Sequence, residues 1–174
     1  LFGGACPTIM AHCVWLKEEE ISLIKKQGVF IAHCPQSNTN LSSGIAPVRQ
    51  FLDEGLFVGL GSDVAGGYST SVLRAMADTI QCSKLRWRLV DTEQKPVTLE
   101  EAFYMGTAGG GAFFGKVGSF LDGYEFDAVV FDDSGLLHPQ ELSVGERLER
   151  LIYLADDRQI KSKFVKGKLI YEKK

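Results

Sequence analysis

Two histidines and an aspartate each close or follow a short apolar run. His12 lies within Ile9 to Trp15, His33 within Val29 to Cys34, and Asp63 follows Phe57 to Gly61. Imidazole nitrogen and carboxylate oxygen are donors that suit zinc or iron, and a carboxylate at a metal can also move a proton. Taken singly, each has a structural reading: a histidine at a strand end can be a hydrogen-bonded core residue, and an aspartate after a strand is a common helix N-cap. Taken together, at positions 12, 33 and 63, they sit one βα repeat apart and fall at the same end of neighbouring parallel strands. In parallel (β/α) barrels that C-terminal end carries the active site.

The connections after these residues are polar. Pro35, Gln36, Ser37, Asn38, Thr39 and Asn40 come after His33, and Val64, Ala65, Gly66, Gly67, Tyr68 and Ser69 after Asp63. Amide-rich and glycine-rich connections at a catalytic end are places to receive a hydrogen-bonding base, which makes Asn38, Gly66 and Gly67 candidates beside the three titratable residues. No GxGxxG, no P-loop lysine and no HxE with PCxxC is present, so dinucleotide, phosphate-loop and cytidine-type deaminase chemistry is not indicated.

Periodicity defines the elements that must position these residues. The three apolar runs read as strands buried on both faces of a parallel sheet. Between them, Glu18 to Lys26 and Ala46 to Glu54 read as helices, closed by Gly28 and Gly55. Thr70 to Trp87 has one apolar stripe and predicts a long helix. Thr98 and Glu101 have capping-box spacing at the start of a helix within Pro96 to Gly106, and a short helix is expected over Gly109 to Phe114. Strand alternation with His12, His33 and Asp63 pointing inward places Met10, Val29, Ile31, Gly59 and Gly61 inward and Phe30, Ala32 and Cys34 outward.

From Gly118 the texture changes to short extended pieces, including Asp127 to Phe131 and Ile160 to Tyr171, with a helix over Gly145 to Ala155 opened by Ser143 and Glu146. Two parts are expected: 1–117 as the C-terminal part of a (β/α) barrel, and 118–174 as part of a small β-sandwich. Lysines crowd the tail from Lys161 to Lys174, where they suit an exposed edge strand.

With 19 basic and 22 acidic residues the formal charge is -3, so no global positive field recruits nucleic acid or an anionic membrane surface. The 45% hydrophobic content is enough for a packed core. No apolar run approaches the roughly 18 residues of a membrane span. Cys6, Cys13, Cys34 and Cys82 form no CxxC pair, which argues for reduced thiols and a cytoplasmic protein rather than a disulfide framework or a thiolate zinc site. A small neutral ligand is the expected partner.

The pieces AHCVWL (11–16), HCPQSNTNLSSG (33–44), GLGSDVAGGYS (59–69), EAFYMGTAGGGAFFG (101–115) and VGSFLDGYEFDAVVFD (117–132) resemble the aminohydrolase branch of the amidohydrolase superfamily, over nearly the whole chain. The DVAGG continuation is similar to its guanine-deaminating members. The resemblance implies a (β/α)8 TIM-type barrel with a β-sandwich, one zinc at the barrel mouth with iron as the alternative, a homodimer in the full-length protein, and hydrolytic deamination of guanine to xanthine and ammonia by a zinc-activated water. Asp63 then matches the metal-binding, proton-shuttling aspartate, and His12 matches the histidine that hydrogen-bonds the attacking water. Both would touch the purine, and His33 matches a histidine of less direct role.

The family's HxH pair and a further metal histidine have no counterpart among His12, His33 and His138. A complete barrel takes about 250 residues, so this chain is expected to be part of a longer enzyme, inactive and weakly zinc-binding by itself. The competing readings are another deaminase or chlorohydrolase of the same branch (adenosine-type, cytosine or triazine substrate) and a non-catalytic half-barrel binding module.

Overall fold

A computed structural model describes residues 5–174; the first four positions of the expected 1–117 segment lie outside the described residues. Two three-stranded sheets organise the chain. The first is parallel, in the order β1 (Ile9–Ala11), β2 (Phe30–His33), β3 (Phe57–Leu60). The second is antiparallel, in the order β4 (Ala128–Phe131), β5 (Ile160–Val165), β6 (Lys168–Glu172).

Helices α1 (Glu18–Gln27), α2 (Pro35–Asn40) and α3 (Val48–Asp53) link the parallel strands. In α1 three glutamates fill the first turn and Lys25 and Lys26 the last, each complementing the helix dipole, while Ile21 and Ile24 bury one face. The long α4 (Val72–Leu89) starts where Ser71 Oγ accepts from Arg74 N at 3.4 Å. It begins and ends two residues later than the stripe predicts. Thr98 and Glu101 cap α5 (Leu99–Tyr104) reciprocally, as expected. The chain then widens into a π-helical turn over Met105–Gly109 and tightens to a 3-10 turn at Ala112–Phe114. Helix α6 (Val144–Leu154) opens with the expected Ser143–Glu146 box.

One hydrophobic core joins Ile21 and Ile24 of α1, Val29 and Ile31 of β2, Phe51 of α3, Val58 of β3 and Met76 and Ile80 of α4. Ile152 of α6 is fully buried in the same cluster, and Arg74 Nη1 donates to the Tyr153 carbonyl at 2.9 Å, so α6 packs on α4 although strands of the second sheet flank it in sequence.

Two expectations are corrected by the structure. Register pairs Met10 with Ile31 and Ile31 with Val58, and this row lies in the core with the helices. Val29 and Ile31 therefore pack against the helices, while Phe30 and Ala32 share the opposite, more open face with Ile9, Phe57 and Gly59. Phe30 stacks on Phe57 there, ring centroids 4.6 Å apart. Inward facing of Met10 requires a pleat unbroken through His12, but β1 stops at Ala11. The second correction is α2, where the proline- and amide-rich stretch after His33 is a helical turn with Pro35 at its first position, not a loop.

Phe51 has no exposed surface and bridges α3 to the sheet. Phe51→Ala is expected to lower the unfolding free energy by about 3–5 kcal/mol in denaturant titrations. Thr98→Ala, which removes one cap, is expected to cost about 1 kcal/mol.

Candidate active site

The parallel ladders end together at Ala11, His33 and Leu60, so the segments leaving the three strands emerge on one side of the sheet. Beyond Ala11 the backbone turns left-handed, with φ 68° at His12 and 51° at Cys13. His12 N still donates to Ala32 O at 2.9 Å, and Cys13 N folds back onto Ala11 O at 2.9 Å. Asp63 also has a positive φ, 46°. Such a conformation costs a non-glycine residue about 1–3 kcal/mol and persists where the surroundings enforce it. The turns aim both side chains at one point: His12 Nε2 lies 3.7 Å from Asp63 Oδ2, with side chains 41% and 43% exposed. At that separation the two are neighbours, beyond hydrogen-bond length.

His33 stands apart from this pair. It is 2% exposed, and its pKa is lowered to about 4, first by burial and then by the charge of His12 nearby. His33 is thus a neutral, buried imidazole, and its Nδ1 has no hydrogen-bond partner. The thiols flanking the histidines are held protonated: burial and Cys34 push Cys13 up to about 11, and burial with the Asp63 charge raises Cys34. Neither offers a thiolate ligand at neutral pH. His138 lies far along the chain, exposed, with its Nδ1 at the Gln140 backbone.

Helix α2 binds the site from behind. Asn38 Oδ1 sits 2.9 Å from His12 Nδ1. Gln36 Oε1 accepts from Ser69 N at 3.2 Å, and Asn40 Nδ2 donates to Gly66 O at 2.9 Å, which ties the loop after Asp63 to α2. The sequence does not single out Gln36 and Asn40, because an amide-rich stretch reads as loop. The signal that would have found them is the proline opening a single helical turn. Gly66 and Gly67 are required by packing. A Cβ on Gly66 would lie 2.6 Å from Ser37 Oγ and 3.0 Å from Asp63 Oδ2, and one on Gly67 would meet the Ser62 carbonyl.

Four buried side-chain atoms in this short stretch lack a partner: His33 Nδ1, Gln36 Nε2, Ser37 Oγ and Asn38 Nδ2. Each such group costs about 1–3 kcal/mol, a burden characteristic of sites shaped for function. Chemically, a carboxylate and an imidazole sharing one point can take up and return a proton and orient a water. The pair also fits part of a zinc shell, since both donors are of the type zinc accepts. Among the described residues no third His, Cys, Asp or Glu joins them.

Burial of neutral His33 makes stability pH-dependent. Between its unfolded value of 6.5 and its folded value of about 4, the unfolded chain binds a proton that the folded chain does not, so stability falls as pH falls through that window. Over the whole window the loss attributable to His33 is about 3 kcal/mol. Unfolding free energies of the protein and of His33→Gln, measured from neutral pH downward, are expected to converge by this amount. Parallel pH curves would show that His33 titrates normally.

The sequence profile of the Amidohydrolase family matches residues 3–170. The guanine deaminase of Dictyostelium discoideum is 42% identical over 170 residues, covering 94% of this chain and 38% of its own length. A crystal structure of guanine deaminase from C. acetobutylicum, with guanine bound in the active site, superposes with TM-score 0.92 at 49% identity, covering 97% of this chain and 40% of that one. A zinc-bound adenosine deaminase from Xanthomonas campestris superposes with TM-score 0.77 at 26% identity, covering 92% and 36%. This chain thus spans 38% of the length of the curated relative it matches at 42% identity, and with the profile match running across almost all of it, the chain belongs to the amidohydrolase family.

Proposed function

We propose that this chain is the catalytic C-terminal part of a zinc-dependent guanine deaminase, with 1–117 forming part of a (β/α)8 barrel and 118–174 part of a β-sandwich. The observation that carries the reading is the His12–Asp63 pair at the ends of parallel strands of one sheet, in a chain 49% identical to a guanine deaminase crystallised with its base. The open face of the parallel sheet supports the barrel reading, because Ile9 and Phe57 are 46% and 48% exposed there and would be covered by further strands.

Asp63 would hold the zinc together with ligands from outside these residues. When bound, the ion lowers the pKa of water from 15.7 toward about 7 and so makes a nucleophile available at neutral pH. Asp63 Oδ2 takes the proton of the attacking water and returns it to the purine, so that ammonia leaves and xanthine remains. His12 Nε2 accepts a hydrogen bond from the same water and directs it. The buried Asn38 keeps His12 in place, and the α2 ties hold the glycine loop against Asp63. Among the described residues no helix is long and apolar enough to cross a membrane.

The complete enzyme carrying this chain, loaded with zinc, is expected to release ammonia from guanine and to form xanthine. Turnover confined to adenine, cytosine or a triazine would sink the assignment. Asp63→Asn is expected to lose about 100-fold to 10,000-fold in kcat, the range for a lost acid–base group, and to retain less zinc by elemental analysis. His12→Ala is expected to lose turnover while keeping its zinc. The 174 residues alone, with two of the usual three protein donors at most, are expected to hold substoichiometric zinc.

A further inference from the structure

A neutral imidazole carries one N–H, and the nitrogen that bears it decides what the other can do. His12 Nδ1 lies 2.9 Å from Asn38 Oδ1, and an amide oxygen can only accept, so this contact needs the proton on Nδ1. Nε2 is then the bare nitrogen, and it faces Asp63 Oδ2 at 3.7 Å. We propose that Asn38 is the positioning residue of this site: it holds His12 in the Nδ1–H tautomer, so that His12 Nε2 and Asp63 Oδ2 present two acceptors to a donor entering between them. This rests on the reading of His12 and Asp63 as the catalytic pair.

Asn38 is built for such a task. It is 2% exposed, and its backbone is fixed on both sides, Asn38 N donating to Cys34 O at 3.0 Å and Ser43 N donating to Asn38 O at 2.8 Å. Its Nδ2 is buried without a partner. A leucine of similar size would remove that penalty, so the amide is not there for stability, and what it supplies is the acceptor for His12. The reverse arrangement, in which Nδ2 donates to Nδ1, puts the ring proton on Nε2 and points it at a carboxylate too distant to bond. Two acceptors at 3.7 Å instead call for a shared proton donor or a cation, which is what a site that deprotonates water must receive. Nothing in the pair itself sets the tautomer; the buried amide on α2 does.

The test uses nitrogen NMR of the complete enzyme with isotopically labelled histidine, the His12 signals being identified by their loss in His12→Gln and recorded where the ring is neutral. The enzyme is expected to show His12 as the Nδ1–H tautomer. Asn38→Ala is expected to lose that preference and about tenfold to hundredfold in kcat, the usual effect of removing an orienting partner, with KM for guanine little changed. Asn38→Asp keeps an acceptor in the same place and is expected to retain the tautomer and recover most of kcat, so a general loss of packing would not reproduce the pattern. An Nε2–H tautomer in the unmodified enzyme overturns the proposal, as does an Asn38→Ala enzyme with unchanged tautomer and kcat. The NMR readout needs no substrate. If guanine were not turned over, the functional reading would fail while the tautomer result still decided the role of Asn38.

Discussion

Everything at this site depends on the parallel ladder that locks β1, β2 and β3 in step. Ile9 pairs with Phe30 and Phe30 with Phe57, so one register sets where all three strands stop. Two of the segments that leave the sheet there carry His12 and Asp63, and the third begins α2. The ladder is held by its helix-covered face, where Ile31 and Val58 meet Ile21, Phe51 and Met76. Loss of that packing would shift strand ends and separate His12 from Asp63 without either residue being changed, since a site usually tolerates only about 0.5 Å of displacement.

The second constraint is where strain is placed. Of the five non-glycine residues with positive φ among the described residues, His12, Cys13 and Asp63 belong to the turns that leave β1 and β3. Relaxing His12 into extended backbone would return its side chain to the pleat on the side that Met10 already fills. The ties from α2 oppose that relaxation. Asn38 reaches His12, Asn40 reaches Gly66, and Gln36 reaches Ser69, so one helical turn restrains the segments that carry His12 and Asp63.

Much of this was legible in the residues. Apolar runs bounded by polar residues marked the three parallel strands, and capping-box spacing marked the starts of α5 and α6 to within a residue or two. The meeting of His12 and Asp63 at one end of the strands was legible for the same reason, because the βα repeat alone brings them to one side. Facing was not. Alternation presumes an unbroken pleat, and the left-handed turn after Ala11 breaks it just as the chain reaches His12. Nor was the role of α2, since propensity reads Pro-Gln-Ser-Asn as loop, while its helical turn is stabilised by burial and by bonds to residues distant in sequence. The difference between His12 and His33 was also hidden: both end apolar runs, and only burial, 2% exposure against an open side chain, separates the two.

That separation has a physical logic. A group that exchanges protons with water must be reached by it, and His12 and Asp63 keep 41% and 43% of their side-chain surface open. A group that only aims another gains from rigidity, and Asn38 and Gln36, which bond to His12 and Ser69, are each buried to 2%. Burial carries its own penalty in unpaired polar atoms, four of them gathered behind the pair. A core selected for stability alone would replace those residues with apolar ones of equal volume. Their presence as a contiguous polar backing, directly behind two exposed titratable groups, is the arrangement expected when orientation at the strand ends outweighs the stability lost in keeping it.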